Sequence, residues 1–211
     1  MNEELITKLN ESIEGLEAAK RLIIREFALI AAADESAFYM RTFPIIMIFN
    51  RAINIVDAIE DAAIKRNILV QTALMRLLAD LPMAAYRVKV LGAEAFIKRV
   101  VRGEQLNFGK APNGESLMDA KVKKQVAKDF EGFEDYYDWA CKGVHFSKFD
   151  QLATLSAGGE MQINARIEVG RNDDEAISAM IVNNNTTKRM VGKTLSAVKK
   201  YILSQDPGEP M

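Results

Sequence analysis

This chain of 211 residues has one cysteine, one histidine and one tryptophan. A single cysteine closes no internal disulfide, so the fold depends on its core and a reducing compartment is expected. A single histidine rules out a His-x-x-x-His metal pair. No Cys-x-x-Cys or Glu-x-x-His spacing takes its place, so neither a metal nor a cofactor is expected. The twelve glycines form no Gly-x-Gly-x-x-Gly, and Gly192-Lys193-Thr194 lacks the upstream glycine of a phosphate-binding loop. No uninterrupted apolar run approaches the ~20 residues of a membrane span. The opening Met1-Asn2-Glu3-Glu4 is acidic where a secretory leader is basic. A cytoplasmic protein with no membrane association is the resulting expectation.

Net charge is also scarce, at −1 with pI near 6.0, which argues against a surface built throughout for nucleic acid. The charge is unevenly spread. Residues 86–128 carry ten basic and four acidic side chains, a local +6. This stretch is either a solvated helical surface or a docking patch for nucleic acid, phosphate or an acidic partner. Phe96 is the one aromatic among its helical cations, poor interleaving for stacking on single strands.

What is present is helical patterning. Ile6, Leu9, Ile13, Leu16, Lys20, Ile23, Phe27 and Ile30 step by three and four, and only Lys20 breaks the series. A helix over about residues 3–32 follows, roughly 45 Å long at 1.5 Å per residue. It needs an equally long partner, within a bundle or across a homodimer. Asp34-Glu35-Ser36 reads as the next helix start with Asp34 as cap, and Thr42 offers a fresh start with Pro44 in the first turn. Residues 67–86 form the most apolar segment, which Pro82 should bend or end. Its polar residues Thr72, Arg76 and Asp80 make one line, either its solvent side or a buried stripe needing tyrosine or carboxylate partners. Helices follow at 93–103, at 117–130 capped by Ser116, and at 133–144. Residues 161–169 alternate in polarity as a half-buried strand does, and 152–156 pair with them through Gly158-Gly159. The last helical stretch begins at Asp173, with Asn183-Asn184-Asn185-Thr186-Thr187 as a place for a break. The expected architecture is mainly α: a single-domain helical bundle over residues 1–205, with a long N-terminal helix, a small β-hairpin near residues 152–169 and a frayed tail at 206–211.

Trp139, Cys141 and His145 crowd into seven residues. On a helix Tyr137, Cys141 and His145 share one face. A Cys–His nucleophile pair lacks any visible oxyanion hole, and a metal site lacks ligands. Two readings stay open. One is core packing, with His145 at a helix end. The other is a ligand pocket in which Arg76, Asp80, Tyr137, His145 and Ser147 supply polar contacts and Trp139 or Tyr136 a stacking wall.

Met75-Arg76-Leu77-Leu78-Ala79-Asp80, followed by Tyr137-x-x-x-Cys141-x-x-x-His145-Phe146-Ser147, resembles bacterial helical proteins distantly similar to the HEPN superfamily. Those are helical bundles found in toxins and phage defence. The resemblance covers about residues 70–150 and implies a site at Arg76, Asp80, Tyr137, His145 and Ser147. HEPN ribonucleases place an arginine four to six residues before a histidine; no arginine lies between Gly103 and Ala165 here, and Lys142 stands three before His145 instead. The sequence therefore points to a non-enzymatic protein that binds a protein partner or small ligand, with a metal-independent ribonuclease or other hydrolase as the alternative.

Overall fold

The computed structural model describes residues 2–34, 38–142, 155–158, 162–165 and 173–205. Among them are seven α-helices: α1 (Glu3–Ala33), α2 (Thr42–Ile64), α3 (Ile68–Leu91), α4 (Ala93–Val101), α5 (Asp119–Asp129), α6 (Phe133–Lys142) and α7 (Asp174–Val198). The protein is mainly helical, and the helices form a bundle.

The heptad reading of α1 holds. Leu9, Leu16, Ile23 and Ile30, seven residues apart, are all buried. Asn2 starts the helix by accepting from the Glu4 amide at 3.0 Å, with Glu3 and Glu4 suiting the positive end of its dipole. Lys20, the residue that broke the series, stays in the seam because three carboxylates receive it. Its ammonium lies 2.8 Å from Glu17, 2.8 Å from Asp57 and 2.6 Å from Glu60. A desolvated cation needs such partners, and two of them come from α2.

The long partners that α1 requires are found within the chain. Helix α1 packs on α2 and α7, and α3 packs on the same two helices. Helix α2 runs antiparallel to α1, bringing Phe27 within 6.5 Å of Phe49. Helix α7 instead runs parallel to α1, with Asn2 beside Asp174, Ser12 beside Asn184 and Glu26 beside Lys199. It is parallel to α3 as well, since Gln71 meets Asn184 and Tyr86 meets Tyr201. A parallel neighbour requires a long crossover, and residues 92–173 provide it, with α5 and α6 packed on α3.

Several expectations are corrected. Asp34 opens no helix; it ends α1 and accepts from Arg41 at 2.7 Å. Helix α3 continues nine residues past Pro82 to Leu91. The cost of the proline, about 3 kcal/mol, is offset by burying Met83, Ala85, Tyr86, Val88 and Leu91. It stops at Gly92, whose φ of 80° a side chain would strain. Helix α5 starts at Asp119 rather than Leu117, because Leu117 is wholly buried and its carbonyl is held by Arg87. Asn183 to Thr187 do not break α7, since Asn183 and Asn184 are buried at a helix crossing. The Asn184 amide donates to Ser12 Oγ at 2.8 Å and its carbonyl accepts from Gln71 at 2.6 Å; Asn183 donates to Gln71 at 3.0 Å. This network joins α1, α3 and α7 and removes the local competition that makes asparagine a poor helix former.

Helices α2 and α3 are long and apolar enough to cross a bilayer, but 50% and 56% of their most apolar windows is buried inside the chain. Between α6 and α7 the described residues are two short strands, β1 (Leu155–Gly158) and β2 (Gln162–Ala165), paired antiparallel with Leu155 opposite Ala165. The rest of the span expected as a hairpin lies outside the described residues, as do residues 206–211.

The fully buried Asn184 gives a direct test of the crossing. Asn184→Leu should cost about 2–4 kcal/mol in urea denaturation, because Gln71 and Ser12 each lose a partner in a dry site.

Candidate functional site

Arg76 and Asp80 lie one turn apart on α3, and Tyr137 and Cys141 one turn apart on α6. Packing of α6 on α3 sets the two pairs face to face. Tyr136 fixes the register, its hydroxyl donating to the Met75 carbonyl at 2.8 Å. The Arg76 guanidinium then spends all its edges. Nη1 donates to Asp80, Nη2 donates to the Tyr137 hydroxyl, and Nε donates to Cys141 Sγ at 3.1 Å. Its plane also lies over the Tyr137 ring, 4.1 Å from the centroid. The polar line of α3 is thus not its solvent side. Thr72 is buried and the Arg76 side chain is only 16% exposed.

Two residues that sequence reasoning left out complete the group. Asp119, in the first turn of α5, stands 3.9 Å from Arg76 through one oxygen and 2.6 Å from Arg87 through the other. Arg87 also donates to the Leu117 carbonyl at 3.2 Å. A signal for Arg87 existed: Arg76, Asp80 and Arg87 are spaced by four and seven, one face of one helix. Nothing local marks Asp119, because its role depends on where residues 102–118 lead the chain.

The electrostatics follow from this geometry. Burial pushes the Asp80 carboxyl above its ordinary value and neighbouring Asp119 adds to the push, while Arg76 opposes it. Burial also works against the charge of Arg76, but its hydrogen bond and ion pair with Asp80 outweigh that, so the guanidinium stays protonated. Burial raises the Tyr137 phenol in spite of the adjacent Arg76. Tyr137 is therefore a neutral hydrogen-bonding group, not a base.

Asp80, Asp119 and Arg87 face a cleft of about 410 Å³. Met47, Ile48 and Arg51 of α2 form one wall, Leu81 and Ala84 of α3 the floor, and Phe96, Leu106 and Asn107 the other side. The volume suits a small organic ligand. Arg51, at the mouth, has no ion-pair partner among the described residues.

The remaining sequence candidates lie elsewhere. Trp139 is on the far side of α6, its ring centroid 6.1 Å from that of Tyr136. It lines a separate groove with Arg189 and Lys193 of α7. His145 and Ser147 lie outside the described residues. Half of the cations in the basic stretch 86–128 are paired with carboxylates within the chain. Arg87 meets Asp119, Lys98 meets Glu94, Arg99 and Arg102 meet Glu104, and Lys123 meets Glu134 and Asp138. No cluster of three or more metal-ligating side chains occurs among the described residues. No known protein family, curated protein or solved structure matches this chain.

Arg76→Met removes the one cation that Asp80, Tyr137 and Cys141 share. The loss should be about 2–4 kcal/mol at neutral pH, below the full cost of a buried pair because Asp80 keeps some solvent. Without Arg76 the Asp80 carboxyl titrates higher still. Its protonated folded form then gains as pH falls, so the deficit should shrink in urea denaturation at about pH 4.5.

Proposed function

We propose that this protein is a non-enzymatic binder of a small ligand, which enters the cleft between α2, α3 and α4 and sets a cationic or hydrogen-bond-donating head on Asp80. The observation that carries this reading is the state of Asp80 itself. One oxygen is held by Arg76, and the side chain, 34% exposed, opens into an apolar-walled cleft. Its charge is under strain from burial and from Asp119. A ligand cation or N–H donor relieves that strain, and a charge-assisted bond in such a setting is among the strong ones. Met47, Ala84 and Leu106 offer the ligand body an apolar surface. Arg76 and Tyr137 are positioning residues in this account: they aim Asp80 and do not line the cleft.

Binding, not turnover, is favoured by the chemistry present. The Arg76 network is closed on itself, and Cys141 has a guanidinium, not a base, at its sulfur. Cys141 lines neither the Asp80 cleft nor the Trp139 groove. The HEPN-like ribonuclease reading rests on His145 with Arg76 as its cation, and Arg76 is committed inward to Asp80, Tyr137 and Cys141.

Calorimetric titration with phenethylamine, and with phenethyl alcohol as its uncharged analogue, tests the assignment. The amine should bind and the alcohol should bind at least tenfold more weakly. Asp80→Asn should keep the fold while weakening the amine roughly 10- to 100-fold, the worth of one charge-assisted bond. Amine affinity should also fall as pH drops through the raised Asp80 titration, because the protonated carboxyl no longer attracts a cation. Equal binding by Asp80→Asn, or no amine binding at all, overturns the reading. Cleavage of RNA by the pure protein, lost in both His145→Ala and Arg76→Ala, replaces it with the nuclease.

A further inference from the structure

We infer that the outer side of residues 108–128, from a tip at Phe108 and Met118 to the lysine face of α5, rests on the anionic surface of a lipid bilayer. Neither Phe108 nor Met118 lines the Asp80 cleft, so this surface is independent of what the cleft binds.

Backbone pairing builds the tip. Lys110 and Ser116 are antiparallel partners. The Ala111 amide donates to the Glu115 carbonyl at 2.8 Å, and the Leu117 amide to the Gly109 carbonyl at 3.0 Å. Alternation across such a ladder puts residues 111, 115 and 117 on one side and 108, 110, 116 and 118 on the other. The first side faces inward: Leu117 and Ala111 are buried, and Glu115 accepts from the Tyr86 hydroxyl. Phe108 and Met118 are therefore turned outward opposite each other, 74% and 56% exposed. Both border one open groove with Lys110 and Ser116.

Charge is sorted the same way. Residues 105–130 contain three acids and five lysines. Each acid is engaged by the body of the protein: Glu115 by Tyr86, Asp119 by Arg87, and Asp129 by Lys200 and Tyr201. Lys123 turns to Glu134 and Asp138. Lys110, Lys121, Lys124 and Lys128 are exposed and have no ion-pair partner among the described residues. Met118, Lys121, Lys124 and Lys128 step by three and four along the side of α5 opposite the buried Val122 and Val126. The apolar tip thus continues into a face of unpaired lysines.

This chemistry selects a bilayer over other anionic partners. Two apolar side chains and four lysines fall far short of the roughly 20–30 residues a side of a specific protein interface. The free cations are all lysines, point charges without the arginine fork that reads the geometry of a phosphate or carboxylate. A lipid surface asks only for charge. Nucleic acid would leave Met118 in water, because a thioether has no flat face on which a base stacks. A weak apolar anchor joined to a basic patch is the pair of signals that holds a protein reversibly to an anionic membrane. The missing apolar run led to an expectation of no membrane association, but contact at the surface requires no span.

Sedimentation of the full chain with vesicles tests this. The protein should pellet with phosphatidylcholine–phosphatidylglycerol vesicles in dilute buffer and stay in the supernatant with phosphatidylcholine alone. It should leave the anionic vesicles at about 0.5 M salt, where surface charges are screened. Lys121→Gln with Lys124→Gln should weaken partitioning about 25-fold, roughly fivefold for each lysine, and Phe108→Ser about tenfold. All three positions are exposed, so the melting temperature should not move. In Phe108→Trp with Trp139→Phe, emission should shift to the blue on anionic vesicles as position 108 enters the acyl boundary. Failure to pellet, equal pelleting with phosphatidylcholine alone, or pelleting indifferent to the lysine pair overturns the proposal. So does unshifted emission from position 108. Capture of single-stranded RNA by a chain that leaves the vesicles alone gives this surface to nucleic acid instead.

Discussion

The guanidinium of Arg76 is the group on which the organisation of the crossover depends. An arginine taken largely out of water must have its donors satisfied, and α3 alone supplies only Asp80. The other partners come from elements far away in sequence: Tyr137 and Cys141 from α6 and Asp119 from the start of α5. Meeting the demand of one side chain thus decides where two helices dock. Arg87, eleven residues along the same face, repeats the device with Asp119 and the Leu117 carbonyl. Together the two arginines clamp the N-terminus of α5 against α3. An acid in that first turn is also favoured by the helix dipole, so the clamp and the helix reinforce each other.

A second constraint is the direction of α7. Running parallel to both α1 and α3, it cannot follow α3 by a short turn, and the chain spends residues 92–173 returning to its start. That detour creates the cleft, because α4 and the loop behind it lie across the exposed end of the α2–α3 pair. The parallel crossing is pinned by amides rather than by apolar contact alone. Ser12, Gln71, Asn183 and Asn184 bond to one another in the dry interior. A polar network of this kind fits only one register, since a slip by one turn strands every member. Specificity of packing is what it contributes, while the heptad leucines and isoleucines of α1 supply the burial.

Much of this was legible in sequence, and the boundary of legibility is physical. Periodicity reports the side of a helix that meets apolar surroundings, so α1 was readable to within a residue or two. The Thr72–Arg76–Asp80 line was readable as a line, and the demand for tyrosine and carboxylate partners followed from the cost of burying a cation. Which carboxylates would answer was not readable, because Asp119 is brought to Arg76 by the path of a loop. The same limit explains the corrections. Pro82 and the Asn183–Thr187 run carry strong local preferences against helix, and those are worth only a few kcal/mol. Burial of five residues beyond Pro82 outweighs one preference, and the amide network cancels the other. Asp34 has the chemistry of a cap at either end of a helix, and only the position of Arg41 decided which end it serves.

The pairing of charges inside residues 86–128 changes what the local +6 means. Five of its ten cations lie beside carboxylates, and one of the five, Arg87, is buried altogether. A nucleic-acid surface gains its affinity from cations free to displace counterions at phosphates, and a cation already held by a carboxylate must give that partner up first. Here much of the positive charge is spent internally, organising the crossover. Arg51 differs, being exposed at the cleft and having no ion-pair partner among the described residues. It lines the same cleft as Asp80, so a cation that the fold does not hold stands beside an acid whose charge burial opposes.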